Sequence, residues 1–256
     1  MRRYWILVLA VCLLSNVATA QSRQEQLRPG EKHEPFTVKT FTGTDKAQLT
    51  YSWLAPADAK AGEKYPLVIC LHGAGGGTTA AAVLATDDMR EKYPCFVLAP
   101  KALEGANWAA TPAFGRKARS KESLPLVVEA IRSLLKTEAI DPARIYVTGQ
   151  SMGGVGSWAA MARHGDLFAA AVPVCGAWDV ADVPKMLAVP VWAFHGELDT
   201  TVPTRFSREL TEAIIKAGGQ AKYTEYKGVG HGSWQAAYQD AAMWDWLFAQ
   251  RKKSGE

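Results

Sequence analysis

Residues 149–154 read Gly149-Gln150-Ser151-Met152-Gly153-Gly154, directly after the apolar, β-branched run Ile145–Thr148 and ahead of a helical stretch. A serine held in a sharp strand-to-helix turn presents its hydroxyl above a sheet, and flanking glycines admit the close backbone approach that such a turn needs. A serine hydroxyl is a weak nucleophile until a base takes its proton, so the chemistry implied is acyl transfer with a base and an orienting acid elsewhere. Gly230-His231-Gly232-Ser233-Trp234 supplies His231 as the base. The segment His195-Gly196-Glu197-Leu198-Asp199 supplies the acid, assigned to Asp199 with Glu197 as the alternative. Such an acid orients the imidazole and stabilises its cation without taking the proton itself. The chain order Ser151, Asp199, His231 is the order that the strand–turn–helix serine motif demands. His195 precedes the acid at a strand end and is read as structural, and His33 and His164 fit no catalytic role.

Developing negative charge on a tetrahedral intermediate needs preorganised donors. The glycine-rich segment His72-Gly73-Ala74-Gly75-Gly76-Gly77 follows the apolar run Leu67–Leu71 and is placed to supply the backbone N–H of Ala74, while the residue after the nucleophile supplies that of Met152. The same glycines lack the Gly-Lys-Ser/Thr ending of a phosphate loop. No cysteine or histidine sits at metal-ligand spacing, so neither metal nor cofactor is implied.

The elements that position these residues alternate. Phe36–Phe41 and Leu49–Leu54 read as an initial antiparallel pair, and Leu67–Leu71, Phe96–Ala99, Ile145–Thr148, Ala169–Val174, Val189–Phe194 and Ala221–Tyr226 as further strands. Several are near-continuous apolar runs, as in strands covered on both faces. Lys121–Glu138 carries Leu124, Val127, Val128, Ile131, Leu134 and Leu135 at helical spacing, and Phe206–Ala217 and Trp234–Gln250 are similar. The alternation predicts a mostly parallel, twisted sheet of about eight strands with helices on both faces. Only Gly176–Ala188 separate the strand after the nucleophile helix from the strand carrying the acid, too few residues for a lid domain. The longest unassigned stretch is Lys101–Ser120, where substrate contacts are expected to collect.

Residues 1–20 read as an export signal: Arg2 and Arg3, the apolar stretch Trp5–Leu14, and Ala18-Thr19-Ala20 as the cleavage site. Its apolar stretch is short of the roughly 20 residues that span a bilayer, so the mature chain is expected to be soluble and secreted or periplasmic, with no membrane partner. Residues 21–35 read as a polar tether, and residues 36–252 as one catalytic domain. Removing the signal takes the formal charge from +4 to +2, and the basic cluster Arg116-Lys117-Ala118-Arg119 reads as a solvated loop, so no nucleic-acid partner is implied. Cys70, Cys95 and Cys175 remain after processing, beside apolar runs. A Cys70–Cys95 bridge is conceivable in an oxidising compartment.

With these segments in place, the sequence resembles the secreted esterase and peptidase branch of the α/β-hydrolases, related to feruloyl esterases and polyhydroxybutyrate depolymerases. The likeness runs from Tyr65 to Arg251 and rests on Leu71-His72-Gly73-Ala74-Gly75, Ala99-Pro100, the Ser151 hexapeptide, His195-Gly196 with Asp199 and Val202-Pro203, and Gly230–Trp234. It implies the α/β-hydrolase fold and a serine carboxylesterase acting on a small-molecule or polymeric ester. A serine peptidase of the same fold is the alternative, although such peptidases commonly carry a propeller or cap, and neither is found in this sequence. A non-catalytic binding protein is disfavoured by the full set of site residues. In such relatives a tryptophan after the fourth strand often lines the pocket, which makes Trp108 a candidate and Trp178 a second. Dehalogenase or epoxide hydrolase chemistry would need Asp at position 151, and dienelactone hydrolase chemistry prefers Cys.

Overall fold

In the computed structural model, which describes residues 26–111 and 121–252, eight strands form one sheet in the order β1-β2-β4-β3-β5-β6-β7-β8. They are β1 (Thr37–Thr42), β2 (Gln48–Leu54), β3 (Tyr65–Leu71), β4 (Phe96–Pro100), β5 (Ile140–Gln150), β6 (Ala170–Val174), β7 (Val191–Gly196) and β8 (Ala221–Tyr226). β1 and β2 run antiparallel, and from β4 across to β8 every pairing is parallel. The helices are α1 (Thr79–Leu84), α2 (Asp87–Lys92), α3 (Leu124–Thr137), α4 (Met152–His164), α5 (Arg205–Lys216), α6 (Trp234–Ala237) and α7 (Ala241–Ala249).

Strand alternation divides the core into two layers. Leu67, Ile69 and Leu71 of β3 join the layer that holds α3, α4 and α5, while Val68 and Cys70 face the layer holding α1, α6 and α7. Both faces of β3 are therefore buried, which is why the strand reads as an unbroken apolar run. β3 and β5 lie side by side at the centre, and each delivers a functional loop at its carboxyl end: 72–77 after β3 and Ser151 after β5.

The predicted helix over Trp234–Gln250 is two helices. Asp240 separates them, its carboxylate accepting from the Ala242 N–H at 2.9 Å as the cap of α7, a break that an apolar periodicity hides and an Asp N-cap explains. The short helices α1 and α2 had no periodic signal because neither exceeds 6 residues. The β6–β7 connection holds a single 3₁₀ turn, Val180–Lys185, in keeping with the expected absence of a lid there.

Two expectations need correction. The stretch expected as a tether is packed on the domain from Gln26 onward: Leu27 is fully buried and exchanges backbone hydrogen bonds with Thr78 at 3.2 and 2.8 Å. Its single large apolar side chain, not any periodicity, anchors it. Cys70 and Cys95 are both free and buried, as is Cys175, so no bridge joins them. The export signal and the cluster Arg116–Arg119 fall outside the described residues. No described helix is long and apolar enough to cross a membrane.

Candidate active site

β5 runs into Ser151, which takes φ 56° and ψ −115°, a conformation that L side chains rarely adopt. Its surroundings hold it there. The Ser151 N–H donates to the Val174 carbonyl at 3.0 Å, and the Ser151 carbonyl accepts from Val155 at 3.0 Å as α4 begins. A Cβ on Gly153 would fall onto the Leu71 carbonyl, so only glycine lets the first turn of α4 sit against the end of β3. The Gln150 side chain adds a tie with no local signature in the sequence: its Oε1 accepts from the Thr79 N–H at 3.1 Å and fastens the turn to the start of α1.

His231, on the loop between β8 and α6, places Nε2 2.8 Å from Ser151 Oγ and Nδ1 2.7 Å from Asp199 Oδ2. The carboxylate can only accept, so Nδ1 carries the hydrogen and Nε2 is left with a lone pair for the serine hydroxyl. Asp199, buried on the loop after β7, is itself oriented: its Oδ1 accepts from the Thr201 and Val202 N–H groups, both at 2.9 Å. The alternative acid, Glu197, is exposed and accepts from the Gly228 N–H at 2.8 Å, away from the imidazole. Three loops at the carboxyl ends of β5, β7 and β8 thus bring together the serine, acid and histidine expected from sequence. Ser151 and His231 are half-buried.

His195 has more to do than the sequence suggested. It is fully buried, with Nε2 facing the Val202 carbonyl at 2.9 Å and Asp199 Oδ2 at 3.2 Å, and Nδ1 2.8 Å from Ser207 Oγ. Two acceptors at Nε2 place the hydrogen there. Burial holds its pKa below the usual imidazole range against the opposing pull of the Val202 carbonyl and Asp199.

Ala74 follows Gly73, whose ideal Cβ would sit 3.7 Å from Ser151 Cβ, in the loop after β3, and Met152 follows Ser151 as the first residue of α4. Neither backbone N–H has an acceptor among the described residues. Two unpaired donors beside a nucleophile can receive a developing oxyanion.

Trp108 and Trp178, the two candidates for substrate contact, are both buried. Trp108 is fully buried, donates its indole N–H to the His72 carbonyl at 2.9 Å, and packs where a Cβ on Gly156 would strike it. Trp178 is 2% exposed and donates to Asp182 at 2.9 Å. Large rings at the loop bases satisfied the packing demand of α4 before any substrate contact.

Cys175, Asp199 and His231 offer a thiol, a carboxylate and an imidazole within 4.8 Å of one another, the one such grouping among the described residues. The Asp199–His231 hydrogen bond already engages two of the three. Burial pushes the Cys175 thiol up to about 12, so this donor set fits a hydrogen-bonded relay better than a cation.

The model of a family described as the dienelactone hydrolase family matches residues 56–245, most of the chain. The chain belongs to the dienelactone hydrolase family. Serine at position 151 differs from the cysteine preferred for that family's namesake chemistry, while kinship rests on the whole domain. This family member is similar to a solved thermostable esterase, 36% identical with a TM-score of 0.78, over 84% of this chain and 63% of that one. It is 27% identical over 117 residues to poly(3-hydroxyalkanoate) depolymerase C of Paucimonas lemoignei, a match covering 43% of this chain and 28% of the depolymerase. The acylaminoacyl peptidase of Pyrococcus horikoshii shares the fold, with a TM-score of 0.67 at 18% identity over 86% of this chain and 43% of the peptidase. The fold is that of the α/β-hydrolases, and it is common to esterases and peptidases.

Proposed function

We propose that this protein is a secreted serine carboxylesterase whose nucleophile is Ser151, base His231 and orienting acid Asp199. The observation that carries the reading is the unbroken hydrogen-bonded line from Ser151 Oγ through both imidazole nitrogens to Asp199, at 2.8 and 2.7 Å. Attack of Ser151 Oγ on the ester carbonyl forms a C–O bond as His231 Nε2 takes the serine proton. The carbonyl oxygen gains negative charge and meets the N–H groups of Ala74 and Met152. Collapse breaks the bond to the alcohol, which leaves with the proton from His231. Water then attacks the acyl-enzyme, His231 accepts its proton, and Ser151 departs with that proton as the acid is released.

Support for an ester over a peptide comes from the partial exposure of Ser151 and His231 and from a β6–β7 connection that contributes only a 3₁₀ turn. Likeness to a thermostable esterase and a polyester depolymerase supports the same class, and an acylated polysaccharide, a polyester or a small aryl ester would suit such a site. Export rests on the sequence of residues 1–20.

The test is a parallel screen of aryl acetate, butyrate and feruloyl esters, acetylated xylan and a peptide anilide, with Ser151→Ala as blank. Ester turnover absent from the blank is expected. Turnover of the anilide alone would assign a peptidase, and equal rates in the blank would remove Ser151 from the chemistry.

A further inference from the structure

His72 is the first residue after β3 and opens the glycine-rich loop 72–77. The residue is buried, 6% exposed. Two backbone groups fix its protonation. The Ala102 N–H can only donate and points at Nε2 from 3.0 Å, so Nε2 holds the lone pair and the hydrogen must reside on Nδ1. Nδ1 then donates to the Gly73 carbonyl at 2.7 Å. Burial lowers the pKa of His72, the nearby Lys101 lowers it further, and the Gly73 hydrogen bond opposes both. The neutral ring is the one that both contacts require.

The Gly73 carbonyl accepts a second hydrogen bond, from the Gly76 N–H at 2.9 Å, and the His72 carbonyl is held by the Trp108 indole at 2.9 Å with the two rings edge-on at 4.8 Å. In a planar trans peptide the carbonyl of one residue and the N–H of the next point in opposite directions. Pinning the Gly73 carbonyl back towards the His72 ring therefore turns the Ala74 N–H the other way. The loop lies against the nucleophile: a Cβ on Gly73 would sit 3.7 Å from Ser151 Cβ.

We infer that His72, as its neutral Nδ1–H tautomer, is a positioning residue that aims the Ala74 N–H at the oxyanion by clamping the Gly73 carbonyl. It touches no reacting atom. The inference rests on the serine-esterase reading and assigns the supporting device beneath one of its two oxyanion donors. A glycine-rich loop has little preference of its own for one peptide orientation. The imidazole supplies that preference from both sides, with Nδ1 holding Gly73 and Nε2 holding the Ala102 backbone from the loop after β4.

Two measurements test it on the full chain. Nitrogen-15 histidine spectra, with the His72 signals assigned by their loss in His72→Asn, should show Nδ1 protonated and Nε2 unprotonated; a protonated Nε2 overturns the inference without reference to activity. The second measurement compares His72→Ala and His72→Asn in kcat, KM and affinity for an aryl boronic acid, whose serine adduct is anionic and tetrahedral. Loss of one oxyanion donor lowers kcat by about 10² to 10³, so a misaimed donor in His72→Ala should lower kcat by about 10- to 100-fold. Boronate affinity should weaken in step while KM stays within about twofold. His72→Asn keeps a donor near the Nδ1 position and should recover much of both. An alanine variant with native kcat and boronate affinity, or one whose loss appears in KM alone, overturns the inference. Absence of ester turnover from the parent protein would instead overturn the esterase reading, with the tautomer measurement still standing.

Discussion

His195 Nε2 lies 3.2 Å from Asp199 Oδ2, the same oxygen that His231 Nδ1 reaches at 2.7 Å. One carboxylate oxygen thus meets two imidazole N–H groups, and its other oxygen meets two backbone N–H groups, so the Asp199 carboxylate is fixed in a buried position. Removing the inner imidazole frees the carboxylate to turn. His195→Leu is expected to lower kcat about tenfold, equivalent to about 1.4 kcal/mol in the barrier, with little change in KM. Unchanged kcat in a folded variant would make His195 a packing residue only.

Replacing the triad itself should be far more damaging. Ser151→Ala and His231→Ala are each expected to lower ester turnover on the order of 10⁶-fold. Asp199→Asn should cost about 10⁴-fold, through the wrong imidazole tautomer. Glu197→Gln, whose partner is the Gly228 backbone, should stay near the parent rate. A larger loss at Glu197 than at Asp199 in steady-state kinetics would reverse the choice of acid.

Acid should destabilise the fold before carboxylates titrate. Burial lowers the pKa of His72, His164 and His195 below the usual 6.5. Below that value the unfolded chain binds more protons than the native one, so stability rises with pH through this window and is lost as pH falls from about 6.5 towards the lower native values. Asp141 and Glu225, both held below their usual range, add loss in the same direction at lower pH. Tm should be level near and above pH 7 and fall below about pH 6.5, with a shallower fall in His195→Leu. An equally steep fall in that variant would count against the buried-histidine account.

The segment from Gln26 to Gly30 should matter to the active-site loop as well as to stability. Leu27 is fully buried, Arg28 donates to the Gly75 carbonyl at 3.3 Å and the Gln26 amide to Thr79 Oγ1 at 3.2 Å. Leu27→Ala is expected to destabilise by about 2–5 kcal/mol in denaturant titration and to lower kcat. A stability change within about 0.5 kcal/mol would mark the segment as peripheral.

Cys70, Cys95 and Cys175 should resist a thiol reagent in the native protein and all react once it is unfolded without reductant. Burial pushes Cys95 up to about 12, which keeps it in the unreactive thiol form. Loss of two thiols from the unfolded count would restore the bridge considered for Cys70 and Cys95.

Much of the fold was legible because strands covered on both faces are apolar without interruption, as Leu67–Leu71 shows. The triad was legible for a different reason: Ser151 and His231 sit in glycine-flanked turns that carry their own local signature. What stayed hidden depends on partners distant in sequence. The Gln150–Thr79 tie spans 71 positions and the Trp108–His72 hydrogen bond 36, and no local pattern marks either. Trp108 reads as a pocket residue by its place in a loop, and its burial against α4 is visible only once the helix is in position.

By itself the sequence determined the order of the strands and singled out Ser151, Asp199 and His231, with the two loops proposed to hold an oxyanion, because these follow from residue types in short windows. Only the tertiary structure decided which tautomers His72, His195 and His231 adopt, that Leu27 belongs to the core, and that the cysteines are unbridged. A proton's place on an imidazole is set by the donors and acceptors that face it, and for these three rings they come from loops that only folding brings together.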